Sequence, residues 1–162
     1  MSSERSGQQC GGSEPHQSRK GHREPRVLLI EDDDGMREML AEALRRKGCH
    51  VIEYATALHW LRSCLGGESG SSREADCQYD VVVSDIRMPG MSGLDVLRTI
   101  RQARSQINPP PTIFITSFGD EETHKRAREL GAVTVFDKPF PVNDLVEKVR
   151  SVAATGLEGK RK

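Results

Sequence analysis

Short apolar runs alternate with helical periodicity along most of this chain. Val27-Leu28-Leu29-Ile30 is a run without a polar break, which reads as a strand covered on both faces. Met36, Met39, Leu40, Ala43 and Leu44 then recur at the i, i+3, i+4, i+7, i+8 spacing of one helix face. This helix has acids in its first turn, Arg45-Arg46-Lys47 in its last and Gly48 as its stop. His50–Ala55 predicts a second strand, and Leu58, Leu61 and Leu65 mark a second, shorter helix. Asp80–Ser84 is a third strand, and Ser92–Ala103 a third helix with Leu94, Leu97 and Ile100 inward. Thr112–Thr116 is a fourth strand, followed by a helix that starts around Gly119–Glu122 and stops at Gly131. Ala132–Phe136 is a fifth strand, and Val142–Ala154 a last helix with Leu145, Val146, Val149 and Val152 on one face.

Five β-α units in succession predict a parallel sheet with helices on both faces. Right-handed crossovers leave few topologies, and five units fit the flavodoxin-like doubly wound order 2-1-3-4-5. The pattern sets the expected limits of the domain at 26–154. Residues 1–25 hold almost no large apolar side chain and read as a disordered tail. Residues 66–78 are rich in Gly and Ser and exceed the ordinary helix-to-strand connection of about 2–6 residues, so they read as a flexible insertion. Residues 155–162 read as a short basic tail, too short for a DNA-binding module.

Composition narrows the function classes. Lys+Arg and Asp+Glu are both 24, so the net charge of zero gives no electrostatic ground for binding nucleic acid or an anionic membrane. Cys10, Cys49, Cys64 and Cys77 form no CxxC pair and no metal spacing with a histidine, as expected of free thiols in a reducing cytoplasm. The N-terminus has no apolar signal segment, and no apolar run is long enough to span a bilayer.

The candidate chemistry lies at the strand ends. In this topology the carboxyl ends of the strands share one edge, with the switch point between strands one and three. Strand one ends in Glu31-Asp32, strand three in Asp85, strand four in Thr116-Ser117 and strand five in Asp137-Lys138-Pro139. Each has a structural explanation alone: a helix cap, a turn former, β-propensity, a solvated lysine. Their convergence on one edge does not. Clustered carboxylates repel unless a cation joins them, and an oxygen-only donor set selects a hard ion such as Mg²⁺. A cation, Lys138 and Thr116 around Asp85 would neutralise the oxygens of a transferring phosphoryl group while Asp85 attacks.

These segments (Leu28-Leu29-Ile30-Glu31-Asp32-Asp33, Ser84-Asp85-Ile86-Arg87-Met88-Pro89-Gly90-Met91, Ile115-Thr116-Ser117 and Asp137-Lys138-Pro139-Phe140) resemble the receiver domain of two-component response regulators. The resemblance implies that Asp85 is the phosphoacceptor, that Asp32 binds Mg²⁺ directly and Glu31 through water, and that the Arg87 backbone carbonyl is a further ligand. It implies that Thr116 and Lys138 hold the phosphoryl oxygens, and that Phe136 is an aromatic switch following Thr116. It also implies a commonly cis Lys138-Pro139 bond. Arg87 and Phe118 stand where the family tunes phosphoryl lifetime, and neither is a water-activating group. The implied donor is a sensor histidine kinase or histidine phosphotransfer protein. The implied output is a protein target at the face of helix four, strand five and helix five, or onward relay, by a stand-alone receiver that is not a conventional enzyme. Departures are Glu31 in place of the commoner Asp, Ser92 where Asp is frequent, and Ser117 where Ala or Gly is frequent. Two other classes remain open: a pseudo-receiver that binds partners without phosphorylation, and a flavodoxin-like cofactor or nucleotide enzyme. The absence of G-x-G-x-x-G and G-x-x-x-x-G-K-[ST] weighs against the second. His124 reads as a solvated helix residue.

Overall fold

The computed structural model describes residues 23–65, 79–103 and 110–159. Residues 1–22 of the predicted tail 1–25, the predicted insertion 66–78, residues 160–162 of the predicted basic tail, and Cys10 and Cys77 lie outside the described residues. The elements run β1 (Arg26–Ile30), α1 (Asp34–Arg46), β2 (His50–Tyr54), α2 (Ala57–Leu65), β3 (Val81–Asp85), α3 (Gly93–Ala103), β4 (Thr112–Thr116), α4 (Glu121–Glu129), β5 (Thr134–Asp137) and α5 (Val142–Gly159). All strand pairs are parallel, in the order β2-β1-β3-β4-β5 expected from the sequence.

Two-residue alternation divides the apolar strands between the two faces. Val27, Leu29, Val81, Val83, Ile113 and Ile115 form one core with Leu40, Ala41 and Leu44 of α1 and Leu145, Val146, Val149 and Ala153 of α5. On the opposite face Leu28, Ile30 and Val82 pack against Ala57 and Trp60 of α2 and Val96 and Ile100 of α3. Phe114 joins Ile86, Leu97 and Ala127 in a smaller cluster beneath α3 and α4. The central strands β3 and β4 are therefore buried at every position.

The structure corrects several details. Met39 is exposed and Ala41 is buried instead, because the contact line of α1 runs through 40, 41 and 44. Leu58 is also exposed, since α2 turns Ala57 and Trp60 to the sheet. The fifth strand begins at Thr134 rather than Ala132. The chain before it closes α4: Gly131 has φ +77, and the Ala132 N–H donates to the Ala127 carbonyl. The last helix continues past Ala154 to Gly159, with the Thr155 hydroxyl donating to the Ser151 carbonyl.

Candidate phosphoryl-transfer site

The site is built where β1, β3, β4 and β5 end. β1 delivers Glu31, fully buried, and the exposed Asp32. The next residue, Asp33, caps α1 by accepting a 2.7 Å bond from the Met36 N–H, which stops the chain from carrying Asp32 into the helix. Arg37 reaches back from the first turn of α1 and donates to the Glu31 carbonyl at 2.9 Å while pairing with Asp34. This clamp on the acidic turn escaped sequence reasoning. The sequence shows the Asp34–Arg37 spacing, but the hold on Glu31 depends on how the turn is folded.

β3 ends in Asp85, only 3% exposed. One of its oxygens accepts from the Arg87 N–H at 2.8 Å, and the other accepts from the Lys138 ammonium at 2.7 Å. Lys138 also donates to Glu31 at 3.0 Å. Carboxylate oxygens of Glu31, Asp32 and Asp85 lie within 4.8 Å of one another. Three carboxylates thus face one ammonium. Burial raises the Glu31 pKa above its ordinary value, with the Asp85 charge adding to this and the Lys138 hydrogen bond opposing it. Burial alone would depress Lys138, but its bonds to Asp85 and Glu31 outweigh that, and its pKa is raised. The ammonium stays charged.

β4 ends in the buried Thr116, one residue beyond Ile115, the register partner of Asp85. The Thr116 hydroxyl accepts from the Phe118 N–H at 3.2 Å, which leaves its own proton free to donate. The Arg87 guanidinium lies over the exposed Phe118 ring, 5.0 Å from its centroid. The Lys138-Pro139 peptide is cis. Gly93 fits directly behind Asp85: a Cβ there would lie 2.2 Å from the Asp85 carbonyl oxygen. Ser92 is explained by the start of α3, where it exchanges hydrogen bonds with Asp95 in a capping box.

One expected residue does not join the site. Phe136 pairs in register with Ile115 and packs with Phe140 and the α1/α5 core. Thr116 follows the alternation of Phe114 and faces the other side of the sheet. The Phe136 ring therefore cannot follow the Thr116 side chain. The β5 positions on the Thr116 face are Val135 and Asp137.

The donor set fits a small divalent cation. It is all oxygen, carries an excess of negative charge and has one solvent-facing member, as an ion that keeps several waters requires. Among the described residues no helix is long and apolar enough to cross a membrane.

Residues 27–150 match the response regulator receiver domain. The chain is 34% identical over 136 residues to nodulation protein W of Bradyrhizobium diazoefficiens, covering 84% of this chain and 53% of that protein. It is 26% identical over 125 residues to sporulation initiation phosphotransferase F of Bacillus subtilis, covering 77% of this chain and 90% of that one. The chain spans about half the length of the first of these relatives. Among solved structures, the non-phosphorylated HemR receiver domain from Leptospira biflexa superposes with a TM-score of 0.65 at 27% identity, over 80% of this chain and 94% of that one.

Proposed function

This chain belongs to the response regulator receiver family of two-component phosphorylation signalling, and from that premise we propose that Asp85 is its phosphoryl acceptor. The observation that carries the reading is the buried Asp85 carboxylate held at 2.7 Å by Lys138 beside two further carboxylates. In the proposed reaction an Asp85 oxygen attacks the phosphorus of a phosphohistidine on a sensor kinase or phosphotransfer protein. A P–O bond forms, the P–N bond breaks, and the departing imidazole keeps the electron pair and takes up a proton. Lys138 and the free proton of the Thr116 hydroxyl neutralise the equatorial oxygens. Arg87 fixes the attacking carboxylate through its backbone N–H. Glu31, Asp32 and Asp85, with the Arg87 carbonyl, would hold Mg²⁺, which supplies charge neutralisation at the transferring group when bound. Water later hydrolyses the acyl phosphate. Neither Arg87 nor Phe118 activates water, so the acyl phosphate persists longer than seconds.

On this reading the receiver works in the cytoplasm and alters a face built from α4, β5 and α5 that a partner protein reads, or it passes the phosphoryl group on. The test is incubation with acetyl phosphate and Mg²⁺ followed by intact mass. A phosphoryl adduct that disappears in Asp85→Asn supports the reading. No adduct under conditions that label a control receiver sinks it in favour of a phosphorylation-independent binding module, and an adduct that survives Asp85→Asn moves the acceptor elsewhere.

A further inference from the structure

The pocket is joined to α4 by a contact that the transfer chemistry leaves unused. His124 Nε2 on α4 and Asp137 Oδ1 at the end of β5 are hydrogen-bonded at 2.9 Å. The His124 side chain is 24% exposed, half-buried rather than the fully solvated helix residue that its sequence position suggests. Asp137 stands at a junction. It is the register partner of Thr116 and is peptide-bonded to Lys138, whose own N–H donates to the Thr116 carbonyl at 2.8 Å. Gly119, in the connection from β4 to α4, runs tightly against the pair. A Cβ there would lie 1.6 Å from Asp137 Oδ1 and 2.5 Å from His124 Nε2, so no other residue passes without displacing them.

We infer that His124 is a positioning residue that couples α4 to the phosphoryl site through Asp137. The inference rests on Asp85 being the phosphoryl acceptor. A phosphoryl group there presents new acceptors to Lys138 and Thr116, the two residues whose backbones flank Asp137. Any shift they make moves the Asp137 carboxylate, and the short bond to His124 carries that shift into α4. The pair is partly solvated, so it adds little to global stability. Its effect is geometric, and it supplies on the Thr116 face of the sheet a coupling that Phe136, on the opposite face, cannot provide.

The test is hydrogen–deuterium exchange of residues 121–129 in the full chain, with and without Mg²⁺ and beryllofluoride, a stable phosphoryl mimic. Beryllofluoride binding is followed in the same samples by fluorine NMR. In the parent, binding changes the exchange of 121–129. In His124→Ala and in Asp137→Ala the change falls to less than about half the parent's, and the double variant loses no more than either single one. His124→Asn, whose amide can still donate to Asp137, recovers part of it. If His124→Ala binds beryllofluoride and responds at 121–129 as the parent does, the inference is overturned. A parent that binds the mimic without any change at 121–129 overturns it too. A parent that binds no beryllofluoride overturns the reading of Asp85 and removes the inference with it.

Discussion

Asp80 and Asp85 are both buried, five residues apart, at opposite ends of the same stretch of chain, and their surroundings differ in one respect. Asp80, at the amino edge of the sheet, is gripped by Arg23 through both oxygens, at 2.8 and 2.9 Å, and by the Arg26 N–H at 2.8 Å. Its charge is matched by a guanidinium, one nitrogen of which lies within bonding distance of both oxygens. Asp85, at the carboxyl edge, shares a single ammonium with Glu31 while Asp32 adds a third carboxylate. The first arrangement is complete and holds the chain entry against β3. The second carries uncancelled charge, which a bound cation, a proton taken up by Glu31 or a reaction relieves. Burial alone does not separate a structural carboxylate from a reactive one; the balance of partners does.

The largest expected effect is on chemistry. Asp85→Asn abolishes acetyl phosphate labelling, whereas Asp80→Asn, in whatever fraction folds, labels with the parent's stoichiometry by intact mass. Loss of labelling in both would break the comparison. The effects on stability run the other way. Asp80→Ala leaves the Arg26 N–H without its acceptor and frees Arg23, and denaturant unfolding is expected to show a loss of about 2–3 kcal/mol. Asp85→Asn removes one of three mutually repelling charges but also weakens the bond to Lys138, and in metal-free buffer it is expected to change stability by less than Asp80→Ala does.

Mg²⁺ sharpens the same contrast. A cation that binds the folded acidic cluster raises stability by about 2.7 kcal/mol when present at a hundredfold excess over its Kd. Thermal melts with and without Mg²⁺ should show this gain in the parent and in Asp80→Asn, and its loss in Asp32→Asn. Equal gains in all three would place the ion outside the cluster.

How much of this was readable beforehand follows from range. The five units, the strand order and the gathering of Glu31, Asp32, Asp85, Thr116 and Lys138 on one edge follow from periodicity and topology, because parallel crossovers fix which strand ends meet. The direction of a single side chain does not follow. Phe136 lies on the face of β5 opposite Thr116, and in a strand one position is the whole thickness of the sheet. Met39 and Leu58 are exposed for the analogous reason on helices, where a contact line narrower than the apolar stripe leaves its margins in solvent. Contacts between side chains distant in sequence, such as Arg23 with Asp80 and His124 with Asp137, leave no local pattern to read.

The smallest expected effect concerns a third class of carboxylate, one held foremost by a neutral donor. Asp95 accepts from the Ser92 hydroxyl at 2.7 Å and from its N–H at 3.3 Å, and pairs with Arg98 at the surface. The Ser92 hydroxyl bond, foremost, holds the Asp95 pKa below its ordinary 3.8. A carboxylate with a depressed folded pKa contributes stability above its unfolded pKa and loses it as pH falls through the folded one. Glu31 has the opposite sign. Its raised pKa means that the folded chain holds the proton more tightly, so metal-free stability falls as pH rises through that range. Ser92→Ala should therefore cost about 1 kcal/mol at neutral pH, with the deficit shrinking in acid. Glu31→Gln in metal-free buffer should gain stability relative to the parent as pH rises from acid to neutral. Unfolding midpoints measured across that range distinguish the two, and parallel profiles would show that the number and charge of partners do not govern how these carboxylates behave.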